Sequence, residues 1–195
     1  MDERVIVLDQ SALHAIRQRR SVRAYRNEPL TDEQVQALID AGLAAPSAMN
    51  QQPWHIIVLK NTDIRDEWER DIVQCFVDMG DPATIERIRS RNNKIFYDAP
   101  VIIVVARQGE DAGPLLDVGI LVENVAIAAK SIGLDSVILG MPQAAFTGPV
   151  AQKWKEKLRF PEGYHFGIAI AVGHSVQDGT PHQPDTSKVT IIEDF

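Results

Sequence analysis

The sequence predicts an α+β protein, an α/β three-layer sandwich with helices on both faces of a central sheet. Three observations predict it. Pro100 to Ala106 and Phe166 to Val172 are apolar at nearly every position, as strands buried on both faces must be. Amphipathic stretches with helical spacing surround these segments. Helices and strands alternate without a regular βαβ rhythm. The 195 residues fit one compact domain, 1–195, with no repeat, linker or low-complexity tract.

In chain order, Ser11 to Arg19 reads as a short helix with Leu13 and Ile16 on one side. A second helix begins at Thr31, where Thr31 and Gln34 have capping-box spacing, and Pro46 stops it. Trp54 to Lys60 is a strand rich in β-branched residues. Ile64, Trp68, Ile72, Cys75 or Phe76, and Met79 mark a long amphipathic helix ended by Gly80, and Asp81 with Pro82 caps and opens another. That helix runs into the polar stretch Arg91-Asn92-Asn93-Lys94, ahead of the strand from Pro100. Pro114 opens the most hydrophobic helix, which continues to Gly133 and must be buried in a core or an interface. A short strand at Ser136 to Leu139, a polar helix from Pro149 to Leu158 and the strand from Phe166 follow. The tail ends in a short apolar run, Val189 to Ile192, able to add to a sheet edge.

Composition narrows the function. With 27 Asp and Glu against 20 Lys and Arg, the formal charge is −7, which disfavours nucleic acid as a partner. Cys75 is the single cysteine, so no internal disulfide is available; its apolar helical position suits a buried thiol. The five histidines are scattered and give no metal site. No apolar run is read as reaching the ~18 residues of a membrane span, and Met1-Asp2-Glu3-Arg4 lacks the order of a secretory signal, so a cytoplasmic protein is expected. Phosphate-loop, dinucleotide and nucleophile-elbow motifs are missing, and no catalytic side chain stands out. Glu67, Glu69 and Asp71 are read as a solvated helix face. A reactive group brought by a cofactor is the natural consequence.

Two segments carry the binding chemistry. Arg17, Arg19, Arg20, Arg23 and Arg26 lie within ten residues of an otherwise acidic chain, and arginine's planar fork of donors suits phosphate and carboxylate. A helix end with extra charge explains the cluster equally well when it is taken alone. Between the second helix and the first strand, Ala45-Pro46-Ser47-Ala48-Met49-Asn50-Gln51-Gln52-Pro53-Trp54 sets small and amide side chains between two prolines. Ser47, Asn50 and Gln52 can hydrogen-bond the edge of a polar heterocycle; a plain loop with an Asx turn is the alternative.

The pairing of Arg19-Arg20-Ser21-Val22-Arg23 with Ala45-Pro46-Ser47 through Asn50, Gln52 and Trp54 resembles the nitroreductase family of FMN-dependent oxidoreductases. Asp98-Ala99-Pro100, Asp117-Val118-Gly119, Gly133-Leu134 and Leu139-Gly140 extend the resemblance over nearly the whole chain. It implies a nitroreductase-like fold with a central mixed sheet. It implies a homodimer with FMN at the subunit interface, NADH or NADPH as electron donor, and a small organic acceptor. Arg19, Arg20, Ser21 and Arg23 would hold the phosphate and the pyrimidine side of the flavin. Pro46, Ser47, Ala48, Asn50 and Gln52 would come from the other subunit, and Leu139, Gly140 and Met141 would lie near flavin N5. Asn92 matches either a family flavin contact or a polar helix end. The chain departs from the family where many members carry a C-terminal basic pair, having Pro181-His182-Gln183-Pro184 with Lys188 out of register, and Leu139 stands where some have glutamate. A reductase of nitroaromatic, quinone or enone acceptors is the expected activity, and a flavin carrier with little catalysis is the alternative.

Overall fold

The computed structural model describes residues 10–176, 179–181 and 183–192. They form α1 (Gln10–Gln18), α2 (Asp32–Leu43), β1 (Trp54–Leu59), α3 (Thr62–Met79), α4 (Pro82–Arg89), β2 (Val101–Gln108), α5 (Ala112–Ser131), β3 (Asp135–Leu139), α6 (Ala151–Lys157) and β4 (Tyr164–Gly173). Short 3₁₀ turns lie at Ala48–Asn50, Met141–Phe146 and Thr186–Lys188.

Local chemistry sets the boundaries. The Thr31 hydroxyl accepts from Gln34 N–H while the Gln34 side chain accepts from Thr31 N–H, a closed capping box at the start of α2. The Asn61 side chain caps α3 by accepting from Ile64 N–H, and Gly80 ends that helix at φ 69°, a conformation costly for a residue with a Cβ. The Asp81 carboxylate accepts from Ala83 and Thr84 N–H, with Pro82 in the first helical turn.

The sheet has the order β1-β2-β4-β3, and its alternation divides the interior into two cores. Ile102 and Val104 of β2 face one side, packing with Trp68 and Ile72 of α3, Ile88 of α4 and Trp154 of α6. Val101, Ile103 and Val105 face the other, packing with Val35 and Leu38 of α2 and Val118, Leu121, Val122 and Val125 of α5. The sequence expectation of three layers is therefore met. At Gly167 the register between β2 and β4 slips: Val105 pairs with Ile168 and Ala106 with Phe166. A Cβ on Gly167 would lie 2.7 Å from the Val105 carbonyl oxygen and 2.9 Å from Val118 Cγ1, so this bulge needs glycine.

Three expectations are corrected. The four strands pair antiparallel throughout, so the sheet is not mixed; α3 and α4 carry the chain back to the end where β1 finished, and β2 has to run against it. The parallel contact among the described residues is the isolated bridge Ser21–Ser136, made by extended chain after α1. Val189 to Ile192 forms no strand: Val189, Ile191 and Ile192 are exposed and pair with no edge of their own sheet. Finally, α5 is long and apolar enough, by length and composition, to cross a membrane. Here Leu121, Val125 and Ala129 are buried against the sheet.

Candidate functional site

The arginine segment is an extended strap whose inward residues pin its outward ones. After α1, Val22 N–H donates to Ser136 O (3.0 Å) at the edge of the sheet, and Arg26 N–H donates to His174 O (2.8 Å). Val22 and Tyr25 turn into the core, while Ser21 and Arg23 stay exposed. The Tyr25 hydroxyl lies 2.9 Å from Val22 O and 3.3 Å from Ala171 O, and burial raises its pKa well above the usual phenol value. Gly173 permits the close approach, since a Cβ there would press on Pro100 and Tyr25. Arg19 Nε lies 3.0 Å from Glu123 Oε1 of α5, yet this buried N–H has no aligned acceptor, so the pair is electrostatic and not a hydrogen bond. Arg26 is paired with Glu28 at 3.2 Å and Arg17 is exposed, consistent with surface charge at both.

Two adjoining cavities open along this strap and share Arg23 and Ala24. One of about 190 Å³ is lined by Arg20, Ser21, Val22, Arg23, Ala24 and Ser175. The second, about 340 Å³, joins Arg23 and Tyr25 to Arg91, Asn92, Lys94, Tyr97 and Asp98. The smaller cavity has guanidinium and hydroxyl groups and no carboxylate in its lining. In the larger one the lone carboxylate, Asp98, is bound to Lys94 at 2.6 Å, which in turn raises the Lys94 pKa and keeps it cationic. Such a donor set fits an anion with an attached polar ring. Sequence reasoning missed Arg91 and Lys94 as cavity residues, although the polar run after α4 marked their position; Asn92 stands in the same cavity. The tail also approaches this region, for a Cβ on Gly179 would overlap the Arg20 guanidinium. His182 lies outside the described residues.

The second motif folds on itself at the start of β1. Ser47 Oγ accepts from Gln52 N–H (2.8 Å), and the Gln52 amide donates to Asn50 Oδ1 (3.1 Å). Ala48 N–H donates to Asp117 Oδ1 (3.3 Å), a buried carboxylate of α5. Met49, Asn50 and Gln52 all have positive φ, and Pro46, Ala48, Asn50 and Gln52 are exposed. Non-glycine residues in this region are strained, and clusters of them concentrate at functional loops. Met49 is 92% exposed, an unusual state for so apolar a side chain.

One chain does not bring the two motifs together. Ser21 adjoins Ser136 on β3, and the Pro46–Gln52 loop feeds β1, at the opposite edge of the sheet. These edges are three strand spacings apart, roughly 14 Å. The motifs are also at opposite ends: Ser136 is level with Val172 and Val101, whereas Trp54 pairs with Arg107. Six residues of strand add roughly 20 Å in that direction. Leu139, buried at the end of β3, and the exposed Gly140 form a turn on the same edge as Ser21 and lead into the 3₁₀ turn at Met141.

Comparison with known proteins gives a consistent picture. The fold is similar to a nitroreductase with bound FMN from Desulfitobacterium hafniense, with a TM-score of 0.90 and 37% identity, covering 94% of this chain and 98% of that one. It is similar also to a nitroreductase with bound FMN from Bacteroides fragilis, with a TM-score of 0.84 and 25% identity over 93% and 98% of the two chains. An NADPH-dependent oxidoreductase of Staphylococcus haemolyticus is 31% identical over 168 residues, 83% of this chain and 64% of that protein. The chain spans about half to two thirds of the length of the curated relatives it matches. The model of the nitroreductase family matches residues 16–174, from α1 to the end of β4, and this chain belongs to that family.

Proposed function

We propose that the chain is an FMN-dependent oxidoreductase that uses NADH or NADPH to reduce small organic acceptors of nitroaromatic, quinone or enone type. The observation that carries this reading is the pair of cavities joined at Arg23, cationic on both sides and shaped by a pinned strap. Their donors fit FMN, which joins a phosphate to a ring with polar edges. Bound FMN would supply the redox chemistry, accepting hydride from the nicotinamide and passing it through N5 to the acceptor in a ping-pong cycle.

The chain's own residues bind and tune. Arg20 and Ser21 offer the phosphate a guanidinium and a hydroxyl, while Arg19 lines neither cavity and lies against Glu123. Arg23, Arg91 and Lys94 put positive charge beside the heterocycle and so favour negative charge on it. Asn92 adds an amide to that edge. At the other end of β3, Leu139 and Gly140 present backbone groups, while the Leu139 side chain is buried in the core. No side chain is assigned as an obligatory acid or base, and water supplies the proton.

The reading includes a homodimer, in which Pro46, Ser47, Ala48, Asn50 and Gln52 of a second copy complete the site. The separation of the two motifs within one chain supports it. Exposed apolar side chains support it too: Leu115 (48%) and Leu116 (69%) of α5 stand uncovered, as does Met49 in the loop itself. For the flavin and nicotinamide part of the reading, the name of a relative, an NADPH-flavin oxidoreductase of Vibrio harveyi, gives support.

The test is made on purified protein. The reading expects a yellow protein that releases FMN, is bleached by NADH or NADPH, and is reoxidised by at least one class in a panel of nitroaromatic, quinone and enone acceptors. Colourless protein that fails to take up added FMN would refute it. Bound FMN that neither nicotinamide bleaches would leave the carrier reading in its place.

A further inference from the structure

Glu69 sits on α3, outside the cavities at Arg23, on a helix face that the sequence marks as solvated. The structure corrects that expectation for this one residue: Glu69 is 7% exposed. One carboxylate oxygen, Oε1, accepts from two consecutive backbone groups, Ile95 N–H at 2.6 Å and Phe96 N–H at 2.7 Å. The other, Oε2, lies 3.6 Å from Lys94 Nζ. Bonds to an ionised acceptor are short and strong, and two buried N–H groups would be orphaned without it.

Backbone bonds from Asn92, Asn93, Lys94 and Ala99 N–H tie the two ends of this stretch, while the Ile95 and Phe96 amides are held by Glu69. Asn92, Asn93, Tyr97 and Asp98 all have positive φ, between 53° and 60°. Asn and Asp tolerate that conformation, but for buried Tyr97 it is strained. Neighbouring side chains counter the strain. Arg65 of α3, itself buried, donates to Ala99 O at 2.8 Å, and Arg91 donates to the Tyr97 hydroxyl at 3.0 Å. Asn92 and Lys94 then stand at a junction, since they line both the cavity with Arg23 and a larger one of about 470 Å³ that Glu69 also lines.

Building on the flavin reading above, we infer that Glu69 is a positioning residue for the cofactor: by holding Ile95, Phe96 and Lys94 it fixes the strained 92–98 loop and so keeps Asn92 and Lys94 at the Arg23 cavity. Glu69 touches no cavity-bound ring itself; its effect passes through the loop. Removing the carboxylate frees two amides and leaves Lys94 held by Asp98 alone, and the loop relaxes away from Arg23.

The experiment compares wild type, Glu69→Ala, Glu69→Gln and Ile72→Ala. Each is stripped of flavin and read by FMN fluorescence titration, melting temperature and amide hydrogen exchange. Ile72 is a fully buried neighbour on α3 that serves as the control for general destabilisation. Glu69→Ala is expected to raise the FMN Kd by about tenfold or more and to speed exchange at 92–98 but not in β1. Glu69→Gln keeps an acceptor oxygen and is expected to stay within about threefold of wild type. Ile72→Ala is expected to lower the melting temperature with an unchanged Kd. An unchanged Kd in Glu69→Ala overturns the inference, and so does a rise in Kd that Ile72→Ala shares in proportion to lost stability. Wild-type protein that binds no FMN overturns the flavin reading as well, a result distinct from either.

Discussion

At the scale of single residues, the positions that matter most are those where backbone passes close to something else. Gly167 is the clearest. With a Cβ it would meet a carbonyl of β2 and a methyl of α5 at once, inside a ladder with little room to move. Gly167→Ala is therefore expected to destabilise the fold by about 1–3 kcal/mol, read as a lower urea midpoint with unchanged slope. A midpoint equal to wild type would mean that the bulge can shift to admit a methyl. At the same scale, Glu69 shows what one sequence cannot reveal. Glu67, Glu69 and Asp71 follow one another on α3 at alternate positions, and nothing local separates them. Glu67 and Asp71 reach Lys153 across to α6, while Glu69 turns under the loop before β2. Burial of a carboxylate depends on backbone donors that arrive from 26 residues away.

Among elements, the ion pairs between α3 and α6 make the sharpest pH prediction. Glu67 is paired with Lys153 and Lys157, and these hydrogen bonds lower its pKa from 4.5 to about 2. A depressed carboxylate pKa adds stability that is fully present above 4.5 and is lost as the pH falls through about 2. Glu67→Gln should thus lie slightly below wild type in urea midpoint at pH 7. The gap is small because the pair faces water, and it should close between pH 4.5 and about 2. A gap that stays constant across that range would assign the effect to packing and not to charge. Most elements were legible for local reasons. The capping box at Thr31, the Asp81-Pro82 start and the Gly80 stop all act within a few residues, and buried strands announce themselves by apolar runs. What escaped was set by partners distant in sequence. Strand direction follows from where α3 and α4 return the chain. Phe146, the last residue of the 3₁₀ turn at Met141–Phe146, packs against Trp68 and Phe166, partners far away in the sequence. Val189 to Ile192 has the composition of a strand and no edge within its own chain to pair with.

For the whole molecule, the proposed function requires two motifs at opposite corners of one sheet to meet through a second copy. Arg19, Arg20, Ser21 and Arg23 stand out in the sequence as a candidate anion clamp; Arg20, Ser21 and Arg23 line the two adjoining cavities, with Asn92 and the unforeseen Arg91 and Lys94, and Arg19 lies against Glu123. Ser47, Asn50 and Gln52 were recognisable as a stiff polar loop, but their distance from the clamp could be seen only once the strand order was known. Met49 in that loop and Leu115 and Leu116 of α5 stand uncovered, and burying them in the proposed dimer would remove apolar surface from water. The claim that two copies share each site is tested most directly by hybrid dimers. Arg23→Ala and Asn50→Ala, each alone, are expected to weaken FMN binding by about tenfold or more. Co-expressed with separate tags and purified through both, the two variants form dimers holding one intact clamp–loop pair and one doubly broken pair. Titration of these hybrids with FMN is predicted to recover one site of wild-type affinity per dimer; hybrids with no such site, or a monomer that binds FMN as tightly as wild type, would contradict the account.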